Sequence, residues 1–162
     1  MTRAPNRKPP APPAPVALDA QPGHWIRRLQ QVAVALFTQE TAAAGVTPVQ
    51  YAVLLTLAAQ PGIDQRTLAA EVSFDTSTIG GVVDRLEARG LLTRSLSPGD
   101  RRVRLLHLTR DGEALLASVT PAMQRAQERI LEPLSAAERK VFLRMMRLVI
   151  SHHEPPGGPA SG

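Results

Sequence analysis

Cysteine is absent from all 162 residues, which removes disulfides, thiolate catalysis and cysteine-ligated zinc together. Aromatic side chains make up only 3%, and Trp25 and Tyr51 are the sole Trp and Tyr. Lysine occurs only as Lys8 and Lys140, so arginine carries almost all the basic charge. No apolar run approaches the roughly 20 residues a membrane helix needs. The N-terminus is broken by proline and has no continuous apolar segment to act as a signal peptide. The expectation is a soluble, cytoplasmic protein with no membrane partner. G-x-S-x-G, a phosphate-binding glycine loop, H-E-x-x-H and paired carboxylates are all missing. The four histidines (His24, His107, His152, His153) make no metal-ligand spacing. Neither an enzyme, a metal site nor a cofactor is expected.

What is present is a chain 43% hydrophobic with a formal net charge of +5, sized for one domain with a dimerisation extension. A basic balance favours an anionic partner such as nucleic acid. Six prolines fall within residues 1–20 and leave little room for helix or strand. Residues 1–21 read as a disordered tail, or as a loose basic arm whose Arg3, Arg7 and Lys8 reach phosphates. Residues 154–162 form a second tail.

Between the tails the pattern is helical. Ile26, Leu29, Ala33, Leu36 and Phe37 recur at spacings of three and four, and Gly45 ends that stripe. Thr47, Pro48 and Gln50 have the form of an N-cap, a first-turn proline and a capping box for a second helix. Asp64 caps a short third helix, and Asp75 a fourth, TSTIGGVVDRLEAR, closed by Gly90. Thr109 caps a long helix with Pro121 inside it, where a kink or break is expected. Ser135 and Glu138 form a capping box that opens a last helix to about His153. Its VFLRMMRLVI is apolar on nearly every side and must be covered from several directions. A second subunit is the economical cover, so an obligate homodimer is expected. The resulting division is 22–46 and 111–153 for dimerisation, with 47–110 as a separate lobe.

Helix, short helix, tight turn, helix, hairpin is the order of a winged helix-turn-helix. The fold class expected is therefore mainly α with a small β-hairpin wing. In such lobes the second helix of the pair enters the major groove and reads bases with its first residues. Here those are Asp75, Thr76, Ser77 and Thr78, small and mostly hydroxyl-bearing. Gly80 and Gly81 each cost roughly 1 kcal/mol of helix stability against alanine. That cost makes sense where something comes close to the backbone, either DNA or a neighbouring helix. Arg85, one turn beyond Gly81, faces neither adjacent acid and points to a base or phosphate contact. Arg89 is set to pair with Asp84 or to stabilise the helix C-terminus.

Residues 91–96 and 103–108 read as strands around Ser97-Pro98-Gly99-Asp100, a tight turn by its chemistry. That turn runs directly into Arg101 and Arg102. Residues 75–110 hold seven arginines and four acids, so about a fifth of the chain carries +3 of its +5. Such a wing suits a narrow minor groove, where concentrated negative potential attracts arginine. Asp100 would brace it by accepting hydrogen bonds from the Arg102 guanidinium. A purely solubilising hairpin tip is the plainer reading.

The run Val83-Asp84-Arg85-Leu86-Glu87, Gly90-Leu91-Leu92 with Arg94, the Asp100-Arg101-Arg102 wing and Leu108-Thr109 together resemble the MarR family of bacterial transcriptional regulators. The resemblance covers roughly residues 22–152 and adds Arg94 to the DNA-contacting set. It implies a triangular homodimer on a pseudopalindromic double-stranded operator, released by small phenolic or aromatic-acid effectors. The oxidant-sensing branch, which uses cysteine, is excluded. The implied ligand pocket lies between the dimerisation helices and the lobe. His24 and Arg28, at i and i+4, would hold a ring atom and a carboxylate. Trp25 and Tyr51 would wall a flat ring. The first helix is similar to that of regulators of nicotinate breakdown, which implies a hydroxylated pyridine carboxylate. The alternative from another class is a winged-helix protein–protein interaction module without specific DNA binding.

Overall fold

The computed structural model describes residues 17–153; the tail expected at 154–162 and residues 1–16 of the one expected at 1–21 lie outside them, while 17–21 are not disordered as expected but hold a short turn. A 3₁₀ turn at Leu18–Ala20 precedes α1, Pro22–Thr41, and a second such turn, Ala42–Ala44, ends on Gly45 at φ 59°. Then follow α2 (Pro48–Ala59), β1 (Ile63–Asp64), α3 (Gln65–Glu71), α4 (Thr76–Ala88), β2 (Leu92–Leu96), β3 (Arg104–Leu108), α5 (Arg110–Ile130) and α6 (Ala136–His153). No single helix among these is long and apolar enough to cross a membrane.

The caps set the helix starts. Thr47 and Gln50 close the reciprocal box at α2, with Thr47 Oγ1 accepting from the Gln50 amide at 3.3 Å. Asp64 accepts from the Arg66 and Thr67 amides, Asp75 from the Thr78 amide, and Thr109 from the Gly112 amide. The Thr67 amide and hydroxyl hold the Asp64 carboxyl below its ordinary range, and the Thr78 hydroxyl and amide do the same for Asp75. A lowered carboxyl pKa stabilises the fold above the ordinary carboxylate range, near pH 4, and that gain is lost as pH falls through the folded value. Thermal melts between pH 5 and about pH 2.5 should therefore show a falling midpoint, with a shallower fall in Asp64→Asn. An unchanged slope in that variant would remove Asp64 from the acid response.

The lobe core joins Leu54 and Leu57 of α2, Leu68 of α3, Ile79, Val82, Val83 and Leu86 of α4, Leu92 of β2 and Leu106 of β3. Phe37, Tyr51 and Val119 extend it towards α1 and α5. Glu40 accepts from Arg125 Nε and Arg129 Nη1, each at 2.9 Å, and ties α1 to α5.

Four expectations are corrected or narrowed. The sheet has three strands in the order β1-β3-β2, because Ile63 pairs with Leu106 beside the hairpin. The wing connection is longer than a Ser97–Asp100 turn: it runs over 97–103, bends at Pro98 and Gly99, and has its hydrogen-bonded turn at Asp100–Val103, closed by the Val103 amide on the Asp100 carbonyl at 2.9 Å. α5 is one helix from Arg110 to Ile130 with Pro121 inside it, so the break, one of the two outcomes expected there, does not occur. Arg89 bonds neither Asp84 nor its own helix end through its guanidinium, but donates to the Gly45 carbonyl at 3.1 Å.

Among the described residues, exposed apolar side chains concentrate on α6 and the facing side of α1. α6 has no buried residue, and Val149, Ile150 and Leu148 are all more than half exposed. An apolar groove of about 380 Å³ runs between α1 and α6, walled by Trp25, Ile26, Leu29, Phe142, Met145 and Val149 among others.

Candidate nucleic-acid interface

α4 is seated by its buried face, with Ile79, Val82, Val83 and Leu86 locked in the core. Its first turn therefore faces outward. Thr76 and Ser77 are exposed, and their hydroxyls have no partner among the described residues. Asp75 and Thr78 differ from them: the Thr78 hydroxyl donates to Asp75 Oδ2 at 2.5 Å, and the carboxylate also caps the helix. Both side chains are thus engaged in holding the helix start.

The two glycines separate by role. A Cβ on Gly80 would come 3.0 Å from Gln65 Nε2, and that amide nitrogen in turn donates to the Thr76 carbonyl at 3.3 Å. Gly80 is therefore where α3 reaches across to α4. A Cβ on Gly81 would meet Arg85 Nη1 at 3.4 Å. Gly81 leaves room for the Arg85 guanidinium, which is exposed and without an ion pair among the described residues.

At the wing, Arg101 and Arg102 are the two central residues of the Asp100–Val103 turn. Aspartate at the first position of a turn accepts from the backbone two residues on. Asp100 Oδ1 does this with the Arg102 amide at 2.9 Å. The expected brace on the Arg102 guanidinium is thus corrected to one on its backbone. Both guanidinium groups remain exposed and unpaired among the described residues. The consequence is useful: the turn is fixed while its two charges stay free.

Arg94 is placed otherwise. Its guanidinium bonds Asp84 Oδ1 at 2.5 Å and Glu87 Oε2, both on α4, and its side chain is only 24% exposed. Burial alone would lower its pKa, but the two carboxylates outweigh that and raise it. The geometry gives Arg94 to α4 and withdraws it from the solvent-facing set.

The four ligand candidates lie in different surroundings. His24 is partly buried, with an Nδ1 that is buried and unpartnered, and its ring meets Trp25 edge-on at 5.4 Å. Arg28 is exposed, and its side chain has no hydrogen bond among the described residues. Trp25 donates to the Asp19 carbonyl at 2.7 Å and lines the α1–α6 groove, whose wall includes none of His24, Arg28 or Tyr51. Tyr51 is 7% exposed in the core against Phe37, ring centroids 6.2 Å apart. In the single chain they do not form one wall.

The sequence model of the MarR family matches residues 44–103. The transcriptional repressor NicR of Pseudomonas putida is 34% identical over 143 residues, covering 88% of this chain and 90% of the relative. The chain belongs to the MarR family. The PcaV transcriptional regulator of Streptomyces coelicolor, solved with its natural ligand, superposes with a TM-score of 0.81 at 41% identity, over 87% of this chain and 99% of that one. BpsR of Bordetella bronchiseptica, whose DNA binding is regulated by 6-hydroxynicotinic acid, gives 0.80 at 33% identity, over 84% and 97%. MarR proteins are transcription regulators, not enzymes, and they take small-molecule effectors in place of cofactors. Among the described residues no group of three acids or histidines is placed to hold a metal.

Within a MarR lobe the sequence reading missed the Arg89 and Arg94 contacts, which tie α4 to the α1–α2 corner and to the wing. A signal for Arg94 was available. Leu92, Arg94 and Leu96 alternate on one face of β2, and Leu92 is buried, so Arg94 had to start inward.

Proposed function

We propose that the chain is a homodimeric, cytoplasmic repressor. Its α4 helices enter successive major grooves of a pseudopalindromic operator, and its wings reach the flanking minor grooves. The lobe is residues 47–110, and residues 22–46 and 111–153 make the dimer. The observation that carries this is a set of exposed groups without partners among the described residues, Arg85 with the hydroxyls of Thr76 and Ser77 on α4 and Arg101 with Arg102 on the wing, each on an element fixed by internal bonds. The uncovered α6 supports the dimer.

The effector is a small aromatic carboxylate or phenolic compound, with a hydroxylated nicotinate the first candidate. Its carboxylate meets Arg28 and a ring atom meets the imidazole of His24. Similarity to NicR and BpsR favours the pyridine acid.

Fluorescence anisotropy on the upstream intergenic DNA, beside a scrambled duplex and across salt, tests both halves. The expected result is saturable binding well above the scrambled control, released by 6-hydroxynicotinic acid. Arg102→Ala should weaken binding and reduce the log–log salt slope by about 1. Equal weak binding to both duplexes would bring forward the protein-interaction reading. Operator binding indifferent to aromatic acids would remove the effector half alone.

A further inference from the structure

α4 carries two carboxylates on its outward side, Asp84 and Glu87, next to the Arg85 that faces DNA in the reading above. Three residues apart, they share one side of the helix. The Asp84 side chain is 67% exposed, and that of Glu87 37%. Left bare, two negative charges at this place would stand against the phosphates of any duplex that α4 enters. One cation meets both, and it comes from the other DNA-facing element. Arg94 of β2 bonds Asp84 Oδ1 through Nη2 at 2.5 Å and Glu87 Oε2 through Nη1.

The reach has a cause in the strand. Arg94 stands opposite Leu106 in the β2–β3 register, two residues after buried Leu92. Its stem therefore begins on the core side of the hairpin and its head emerges between hairpin and helix. A planar guanidinium spans two carboxylates in a way a point-charge ammonium cannot. The pair is therefore both a neutralising contact and a fixed angle between α4 and the wing.

We propose that Arg94 is a positioning residue for operator binding: it screens Asp84 and Glu87 from the phosphates and sets the wing against the recognition helix, without touching DNA itself. This rests on the operator-binding reading given above. It also goes against the plainest use of an arginine in a winged helix, which is a phosphate contact.

The test is a set of variants titrated on the operator across salt by fluorescence anisotropy. Arg94→Gln should weaken binding by about 10–100-fold. The triple variant Asp84→Asn/Glu87→Gln/Arg94→Gln removes the acids together with their screen but not the need to set the wing, and should bind about threefold or more tighter than Arg94→Gln while staying weaker than wild type, with no loss of salt slope. A phosphate-contacting Arg94 gives the opposite: the triple variant stays as weak as the single one, and the slope falls by about 1. Arg94→Lys decides the matter should Arg94→Gln melt early. Lysine serves a phosphate well but cannot hold both carboxylates. Binding about fivefold or more weaker, with faster hydrogen exchange at hairpin amides 93–96, supports positioning; wild-type binding and exchange overturn it. A wild type that does not distinguish operator from scrambled duplex ends the functional reading and this inference together, and that result precedes any variant.

Discussion

Val149→Asp is expected to split the proposed dimer into monomers and to lower affinity for the full operator by about 10²–10⁴-fold. Val149 stands in the α1–α6 groove and is 56% exposed in the single chain. α6 supplies nothing to the lobe core, so the folding of the lobe does not depend on it. A carboxylate placed there would be buried without a partner on association, which costs far more than the lost valine contact. The loss at the operator is larger than the loss at any one contact, because two linked lobes make the second half-site an intramolecular event. Light scattering after gel filtration reads the first effect, and anisotropy on full and half operators reads the second. Half-site affinity and the lobe's circular dichroism should stay unchanged. A Val149→Asp protein that remains dimeric at micromolar concentration would place the subunit interface elsewhere.

Gly112→Ala is the second large effect, and it acts on stability. Gly112 is buried at the start of α5, where a Cβ would run into the Leu91 carbonyl and lie 3.4 Å from Leu108 Cδ2. Neither rotamer choice nor a flexible tip relieves a clash between Cβ and backbone. The first turn of α5 must lift, and it is held there by three bonds: the Thr109 amide to the Leu91 carbonyl at 3.1 Å, the Thr109 hydroxyl to the Gly90 carbonyl at 2.7 Å, and the Gly112 amide to Thr109 Oγ1 at 3.1 Å. Overpacking of this kind costs about 3 kcal/mol or more. For a chain of this length that lowers the melting midpoint by roughly 6–12 °C. Differential scanning calorimetry at fixed protein concentration is the check. A shift under about 2 °C would mean that α5 can pivot freely off the end of α4.

The helix starts were legible because each is written in side-chain chemistry that acts over three residues. Thr47 with Gln50, Asp64, Asp75, Thr109 and Ser135 with Glu138 all hold the bonds their positions imply. The wing turn was less legible. Ser97, Pro98, Gly99 and Asp100 all favour turns, and strand pairing that ends at Leu96 with Arg104 chose Asp100 as the first residue of the turn. β1 is two residues long, too short to show any periodicity, and exists only because β3 has a free edge beside it. Arg94 was read by its charge before its face. The fold's use of the two side chains on one strand, buried Leu92 and half-buried Arg94, would have turned that reading around. Tyr51 was hidden by the helix it lies on. α2 is apolar on nearly all sides, so no face could be assigned from sequence, and its packing on Phe37 appears only in three dimensions.

The bonds at Thr109 matter beyond stability, since they join α5 to Gly90 and Leu91, immediately past the end of α4. α5 has 21 residues and is therefore a rod about 30 Å long. Its far end lies in the region assigned to the dimer, with Pro121 lacking the amide that would bond the Ala117 carbonyl. A rod works as a lever. A tilt of about 10° at one end carries the other through about 5 Å, more than the roughly 3.4 Å between base pairs. In the proposed dimer, geometry of this kind would convert an adjustment the size of a side-chain rotation into loss of register with the second half-site, while every contact inside the lobe stays as it was.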